Sequence, residues 1–249
     1  MQTSNGYRWA DTHKRLGLVS YQTFSHEDYE RFWNQYNRNR DDPEVRSWAR
    51  EDFTKPGLEN AHTTSAEWLP TLTSLRRRVD EGGHHFLAEL RMPERATTDY
   101  GCPALFQVAL FFPVDAPQVS FDVRWFDKPA SRMPEALWLS FDPLVDEPDR
   151  WRLDKLGAMI SPLDVVSRGA RGLHAVDRGV VHPGGVSIFT LDAPLVAPGR
   201  RSLLRFDDAQ PPLEGGMHFN LYNNVWGTNF PMWYEDDARF RFALRLTAR

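Results

Sequence analysis

The richest concentration of side chains that could bind a small molecule lies in the run MHFNLYNNVWGTNFP, residues 217–231. Along an extended chain, His218, Asn220 and Tyr222 would share one face. Amide side chains offer a donor and an acceptor together, and Trp or Tyr rings cover the apolar faces of sugars. The sequence therefore predicts six sugar-facing residues: His218, Asn220, Tyr222, Asn224, Trp226 and Asn229. In the alternative interpretation, the asparagines satisfy turn backbones and the aromatic rings fill the core.

A second polar cluster lies in residues 125–135 and leads directly into the apolar run 136–141. Its four charges alternate in sign: Asp127, Lys128, Arg132 and Glu135. They could hold a substrate, but charges at the start of a strand commonly pair with one another and fix the loop. We favour the structural role.

The remaining titratable residues indicate no complete catalytic or metal site. His174, Asp177 and His182 are two histidines and one carboxylate without a recognisable ligand spacing, which favours structural histidines. Cys102 is the only cysteine, so an intrachain disulfide and a cysteine zinc site are excluded. Any two of the 34 acidic residues could form a glycosidase pair, and the sequence does not single one out. No nucleophile elbow, P-loop or dinucleotide glycine motif is present.

Composition excludes several classes of partner. The formal net charge is −4, and the basic runs at 76–78 and 200–201 are too short for a phosphate-binding surface, so nucleic acid is not an expected partner. No apolar run reaches membrane-spanning length, and the first residues do not have the pattern of a signal peptide. With a single cysteine, these features lead us to expect a cytoplasmic protein without a membrane partner.

One helix is expected near the start, in a segment that is otherwise irregular. Ser25 and Asp28 form a capping box, and the following aromatic residues fall at helical spacing, which favours a helix packed on a larger body. Residues 38–83 are polar and interrupted by Pro and Gly, so we expect loops and short helical turns. Residues 1–83 would then pack as a helical and loop segment on a body formed by 84–249.

That body is predicted to be all-β. After Gly83 the period changes to two, and strand-like runs are separated by turns. The predicted strands are 85–90, 105–112, 119–126, 136–141, 173–176, 186–191, 202–206, 217–222 and 239–246. Without helices of crossover length between them, they favour an antiparallel β-sandwich in one structural unit, with a barrel as the alternative.

Four groups of residues resemble the C-terminal region of glycoside-hydrolase-family-38-like (α-mannosidase-like) proteins, and more closely an uncharacterised subgroup of them. They are PEALWLSF at 134–141, DKLG at 154–157 with ISPLDVV at 160–166, LHAV at 173–176, and residues 220–230. In such proteins, the resemblance implies, an N-terminal barrel carries zinc and a nucleophilic aspartate, and β-sandwiches of galactose-mutarotase-like fold complete the sugar pocket.

The resemblance implies that this chain corresponds to the part after the barrel. No catalytic residue and no metal ligand is therefore carried over, and zinc is expected only in a separate catalytic barrel. We expect the chain to contact carbohydrate, to have a barrel domain or subunit as partner and to lack activity by itself. A free-standing carbohydrate-binding module and a purely structural domain are the alternatives. An exposed hydrophobic face would favour a missing partner, whereas one aromatic groove on a self-contained surface would favour binding alone.

Overall fold

The computed structural model describes residues 8–38, 47–228 and 231–247. The strands, in chain order, are β1 (Leu16–Thr23), β2 (Ala66–Trp68), β3 (Thr71–Asp80), β4 (Gly83–Arg91), β5 (Leu105–Pro113), β6 (Gln118–Lys128), β7 (Glu135–Phe141), β8 (Arg152–Lys155), β9 (Ala158–Ile160), β10 (His174–Ala175), β11 (Gly179–His182), β12 (Val186–Thr190), β13 (Leu195–Pro198), β14 (Met217–Asn224) and β15 (Asp236–Leu246). The helices are α1 (His26–Tyr36), α2 (Ser47–Phe53) and α3 (Glu94–Tyr100), with 3₁₀ turns at Leu58–Asn60, Pro148–Arg150 and Leu213–Gly215.

Two antiparallel sheets pack face to face, which confirms the predicted all-β sandwich. The smaller sheet has the strand order β10-β13-β14-β7-β1-β2, and the larger has the order β3-β4-β5-β6-β15-β12-β11-β8-β9. Aromatic rings join them: Phe141 of the smaller sheet contacts Phe121 of the larger, with ring centroids 5.2 Å apart. All seven residues of β7 are buried, as expected for a run without alternation.

Helix α1 covers the outer face of the smaller sheet. Its capping box is present, and the Ser25 backbone N–H donates to Asp28 Oδ2 at 2.9 Å. Tyr29 and Phe32 are buried in one cluster with Trp138 of β7, which confirms that this part of the aromatic stripe belongs to the core. Tyr36, at the end of the stripe, is 40% exposed, so the prediction does not hold for it. The Tyr29 hydroxyl donates to the Val225 carbonyl at 2.6 Å and thereby ties the helix to the end of β14.

Several predictions about elements were wrong or incomplete. The short strands β8, β9, β11 and β13 were not predicted. Residues 38–83 supply β2 and β3 as well as helical turns, and β3 escaped prediction because nine of its ten residues are exposed and show no apolar alternation. Residues 202–206 form no strand, since the consecutive Leu203 and Leu204 are both buried and Leu204 has a φ of 50°. Strand β1, which lies between β7 and β2, was also not predicted. Its buried and partly buried residues do not alternate along the strand.

In the hairpin of β3 and β4, strand β3 is exposed on both faces. Leu75 lies opposite Ala88, which lies opposite the buried Val108, so Leu75 is on the face that forms the core elsewhere. On that face Leu72, Leu75 and Val79 are 53%, 57% and 53% exposed. We refer to these three residues together with Arg77 as the β3 strip.

Gly179 offers a test of the larger sheet. Its φ is +150°, and a Cβ would lie 2.0 Å from the Ile188 carbonyl oxygen, whereas at Gly157, with φ +77°, a Cβ would meet nothing within 4 Å. We expect Gly157→Ala to lower the free energy of unfolding by about 1 kcal/mol, through backbone conformation alone. Gly179→Ala should cost about 3 kcal/mol or more, because the β11–β12 pairing must also move. Equal losses in urea unfolding would contradict this account.

Candidate functional site

A β-bulge divides the predicted sugar-binding run between the two faces of the smaller sheet. Asn220 pairs with Trp138, but the next paired residue is Tyr222 opposite Leu137, so Leu221 is the extra residue. Asn220 lies on the outer face, and Tyr222 packs against the core between the sheets. The prediction that His218, Asn220 and Tyr222 share one face was wrong because the bulge reverses the alternation.

Asn220 serves the backbone at this bulge. Its amide donates to the carbonyls of Leu137 and Tyr222 at 3.3 and 3.2 Å, and its Oδ1 accepts from Asn223 at 2.7 Å. The side chain is buried. Its hydrogen-bonding groups are therefore engaged within the protein, which corresponds to the alternative interpretation of this asparagine.

The Lys128–Glu135 ion pair is fully buried where the chain passes from β6 to β7. Lys128 ends β6, Glu135 begins β7, and their side chains have no exposed surface. Lys128 Nζ donates to Glu135 Oε1 at 2.7 Å and to the Gly101 carbonyl at 3.1 Å. Tyr21 donates to Glu135 Oε2 at 2.8 Å. Burial raises the pKa of Glu135 to about 7, against the opposing effect of the Lys128 charge.

Tyr222 is the predicted site residue that belongs to this ion pair. Its hydroxyl lies near the Glu135 carboxyl, and the Lys128 ammonium lies 5.2 Å from the centre of its ring. Burial and the neighbouring carboxyl raise the pKa of Tyr222. The phenol is therefore held in its neutral form.

Lys55 lies in a pocket next to this charged cluster. Its ammonium donates to Asn224 Oδ1 at 2.5 Å and to the Arg132 carbonyl at 2.9 Å. The Asn224 amide donates in turn to the Ser131 carbonyl at 2.7 Å. Burial lowers the pKa of Lys55 to about 8, while Glu135 opposes the shift. Asn224 thus orients Lys55 and fixes the loop between β6 and β7.

We call this cavity of about 630 Å³ the Lys55 pocket. Among its lining residues are Lys55, Asp99, Ser131, Arg132, Met133 and Met232. The Arg132 guanidinium lies 5.0 Å from the centre of the Trp233 ring, and Trp233 is 38% exposed. Ammonium, guanidinium and hydroxyl donors beside an exposed aromatic ring suit a polyhydroxylated ligand.

His218 lies in a different cavity, on the outer face of the smaller sheet. This trough of about 660 Å³, the His218 trough, is lined in part by Gln22, Glu67, Ser140, Arg200, Arg201 and His218. Ser140 Oγ accepts from Arg201 at 2.8 Å and is hydrogen-bonded to His218 Nδ1 at 2.8 Å. Burial, with the nearby Arg201 charge, lowers the pKa of His218 to about 3. A neutral histidine with so low a pKa is a weak general base, so the pair does not form an activated serine.

Trp226 packs with aromatic residues of helices α1 and α2. Trp226 is partly buried and packs against Phe32 and Phe53, with ring centroids 5.4 and 6.0 Å away. Asn229 lies outside the described residues. The structure therefore brings Tyr222 and Asn224 to one cluster and places His218 in another. The assignment of all six to carbohydrate stays a prediction.

Neither the histidines nor the carboxylates form a metal-ligand group in the structure. His182 Nδ1 accepts from the Gly184 N–H at 3.0 Å, and its Nε2 lies 3.0 Å from the Glu147 carbonyl. In the described ranges, no group of three or more His, Cys, Asp or Glu side chains could hold a metal ion. None of the helices in these ranges has the length and hydrophobicity that a bilayer crossing demands.

Sequence reasoning missed Lys55 and Trp233. Lys55 lies in the segment interpreted as irregular, and its partner Asn224 is 169 residues away along the chain. By contrast, the alternating charges of 125–135 did mark the Lys128–Glu135 pair, and the preference for a structural pairing agrees with its geometry.

Comparison with known proteins finds a family model and two solved structures that are similar to this chain. Residues 1–120 match the family model described as domain of unknown function DUF5054, and no curated protein sequence matches the chain. An α-mannosidase from Enterococcus faecalis V583 matches with a TM-score of 0.54 and 10% identity, covering 94% of this chain and 26% of that one. A glycosyl hydrolase family 38 protein from Enterococcus faecalis matches with a TM-score of 0.49, 10% identity and the same coverages. The chain therefore shares its fold with a part of a larger α-mannosidase and spans about a quarter of its length.

The buried ion pair can be tested by a double-mutant cycle. Lys128→Met or Glu135→Met leaves the other buried polar group without its hydrogen-bonding partner, so each should lower the free energy of unfolding by about 3–5 kcal/mol. Combining both changes should cost much less than the sum, because neither group is then left unpaired. Urea unfolding measures all four proteins. Additive losses would show that the two side chains do not depend on each other.

The raised pKa of Glu135 predicts a pH effect on stability. The folded protein holds this proton more tightly than the unfolded chain does, because the pKa rises from 4.5 to about 7. The stabilisation is complete below about pH 4.5 and is lost as the pH rises through about 7. In Glu135→Gln this contribution should be absent. Urea unfolding of both proteins across this range tests it, and identical pH profiles would contradict the assignment.

Proposed function

We propose that this chain is the β-sandwich portion of a glycoside-hydrolase-family-38-like protein and contacts carbohydrate through the Lys55 pocket. The main support is the structural likeness, which takes in 94% of this chain but only 26% of the α-mannosidase. The four motifs that resemble this family lie in the same chain. A partial match of this kind suits a domain that acts together with a separate catalytic unit.

The exposed β3 strip favours this proposal over a free-standing binding module. Three apolar side chains that are each more than half exposed lie on one face of β3, with Arg77 between Leu75 and Val79. In a self-contained module that face would be expected to be polar or covered. In the proposed larger protein, another domain or subunit would cover these side chains.

The Lys55 pocket is the better of the two candidate sugar sites. Arg132 provides an exposed charged donor, and Trp233, whose ring lies 5.0 Å from its guanidinium, supplies an aromatic surface. In the His218 trough, Arg201 is engaged with Ser140 and with Glu67 at 2.5 Å. The carbohydrate would be held by hydrogen bonds and stacking, without proton transfer from this chain.

Binding of α-mannosides and other glycans, measured by calorimetry, tests the site. Trp233→Ala and Arg132→Ala should each weaken binding about tenfold, or about 1.4 kcal/mol, through lost stacking and lost donors. Arg200→Ala, in the His218 trough, is the matched control and should leave affinity within about twofold. If only the control weakens binding, the sugar occupies the other cavity; if no glycan binds, the carbohydrate role fails.

Hydrolysis assays separate an accessory role from an enzyme. We expect no turnover of a panel of aryl glycosides, including α-mannosides, by the purified chain with or without added zinc. The physical reason is that this chain offers no activated nucleophile in the sites described above. Robust turnover that persists through purification would overturn the proposal of a non-catalytic portion.

A further inference from the structure

Among the described strands, β3 is a long edge strand with one neighbour. It runs for ten residues, Thr71–Asp80, and in this part of the chain it pairs with β4 alone. One side of its backbone therefore presents N–H and C=O groups that no strand of this sheet satisfies. The pairing with β4 is regular from Ser74 to Asp80, so this part of the edge can accept another strand.

The side chains of this edge are apolar on one face and basic on both. Arg76 and Arg78 lie on the outer face, where they pair with Glu89 at 2.6 Å and Asp80 at 3.1 Å. Arg77 lies in the β3 strip, 3.0 Å from His84 Nδ1 and over the Phe86 ring. Among the described residues, no carboxylate lies within ion-pair distance of Arg77.

These charges determine which occupant fits. Two copies paired antiparallel over the whole regular segment Ser74–Asp80 would be centred on Arg77, so Arg77 would lie opposite Arg77 and Arg76 opposite Arg78. Like charges directly opposite each other are destabilising. Charged residues also protect sheet edges from unwanted pairing. If the arginines served only to prevent pairing, exposed apolar side chains at Leu75 and Val79 would not be expected beside them. A partner strand with carboxylates opposite the arginines and apolar residues on either side would match both the charged and the apolar side chains of this edge.

We propose that β3 accepts an extended acidic segment of another polypeptide, which adds a strand to the nine-stranded sheet. Opposite Leu75 to Val79, the segment would read apolar, acidic, acidic, acidic, apolar. Its central carboxylate meets Arg77 and its apolar residues cover the β3 strip. Backbone hydrogen bonds supply affinity, and the charges supply selectivity. This inference is independent of the carbohydrate site.

Synthetic peptides test the proposal. The probe is a fluorescein-labelled peptide with the core Val-Glu-Glu-Glu-Val between threonines. Three control peptides are used. In the first, lysines replace the glutamates; in the second, the same residues stand in scrambled order. In the third, alternate backbone amides are methylated so that the peptide cannot form the hydrogen bonds of an added strand. Anisotropy measures binding to the full chain, and hydrogen exchange locates it. We expect binding by the acidic peptide alone, with slower exchange in residues 71–80.

Two matched charge reversals complete the test. Arg77→Glu should weaken binding of the acidic peptide at least about tenfold. Arg245→Glu makes the same change on the same sheet, four strands or about 19 Å away, and should leave affinity within about twofold. Equal effects of the two reversals, equal binding of the scrambled or methylated peptides, or absence of binding would overturn the proposal. Self-association of the purified chain through β3 in sedimentation would overturn it in favour of a second copy.

Discussion

The buried pair of Lys128 and Glu135 is the interaction on which the arrangement of the two sheets depends. The chain leaves the larger sheet at Lys128 and enters the smaller at Glu135, so the pair closes the crossing between the two layers. Tyr21 of β1 and Tyr222 of β14 flank the carboxyl from the two strands beside β7. Four strands of the sandwich thus meet at one polar cluster within an apolar core.

The Lys55 pocket is a consequence of that crossing. The loop held closed by the ion pair carries Ser131, Arg132 and Met133 to the surface. Asn224, in the last position of β14, reaches this loop and holds Lys55 against it. A ligand in the pocket would therefore contact a loop whose two ends are fixed in different sheets, which is a rigid support for weak polar contacts.

Sequence patterns predicted most of the sandwich because its central strands bury one face or both. They failed at β3, whose residues face solvent on both sides. They also failed at Ser202–Phe206, where the buried leucines belong to a loop rather than to a strand. At the site, residue types indicated the correct segment but not its geometry. One extra residue, Leu221, changes which side chains meet, and no local signal marks it. Lys55 meets Asn224 only through the tertiary fold.

The position of β15 has a consequence for how the protein is made. This strand lies between β6 and β12 and is the link between the first and second halves of the nine-stranded sheet. Its partners in β6 precede it by more than a hundred residues. While a ribosome synthesises the chain, the meander of β3 to β6 must therefore wait with an open inner edge until β15 emerges. Such delayed closure slows folding and makes the nascent chain dependent on protection from aggregation.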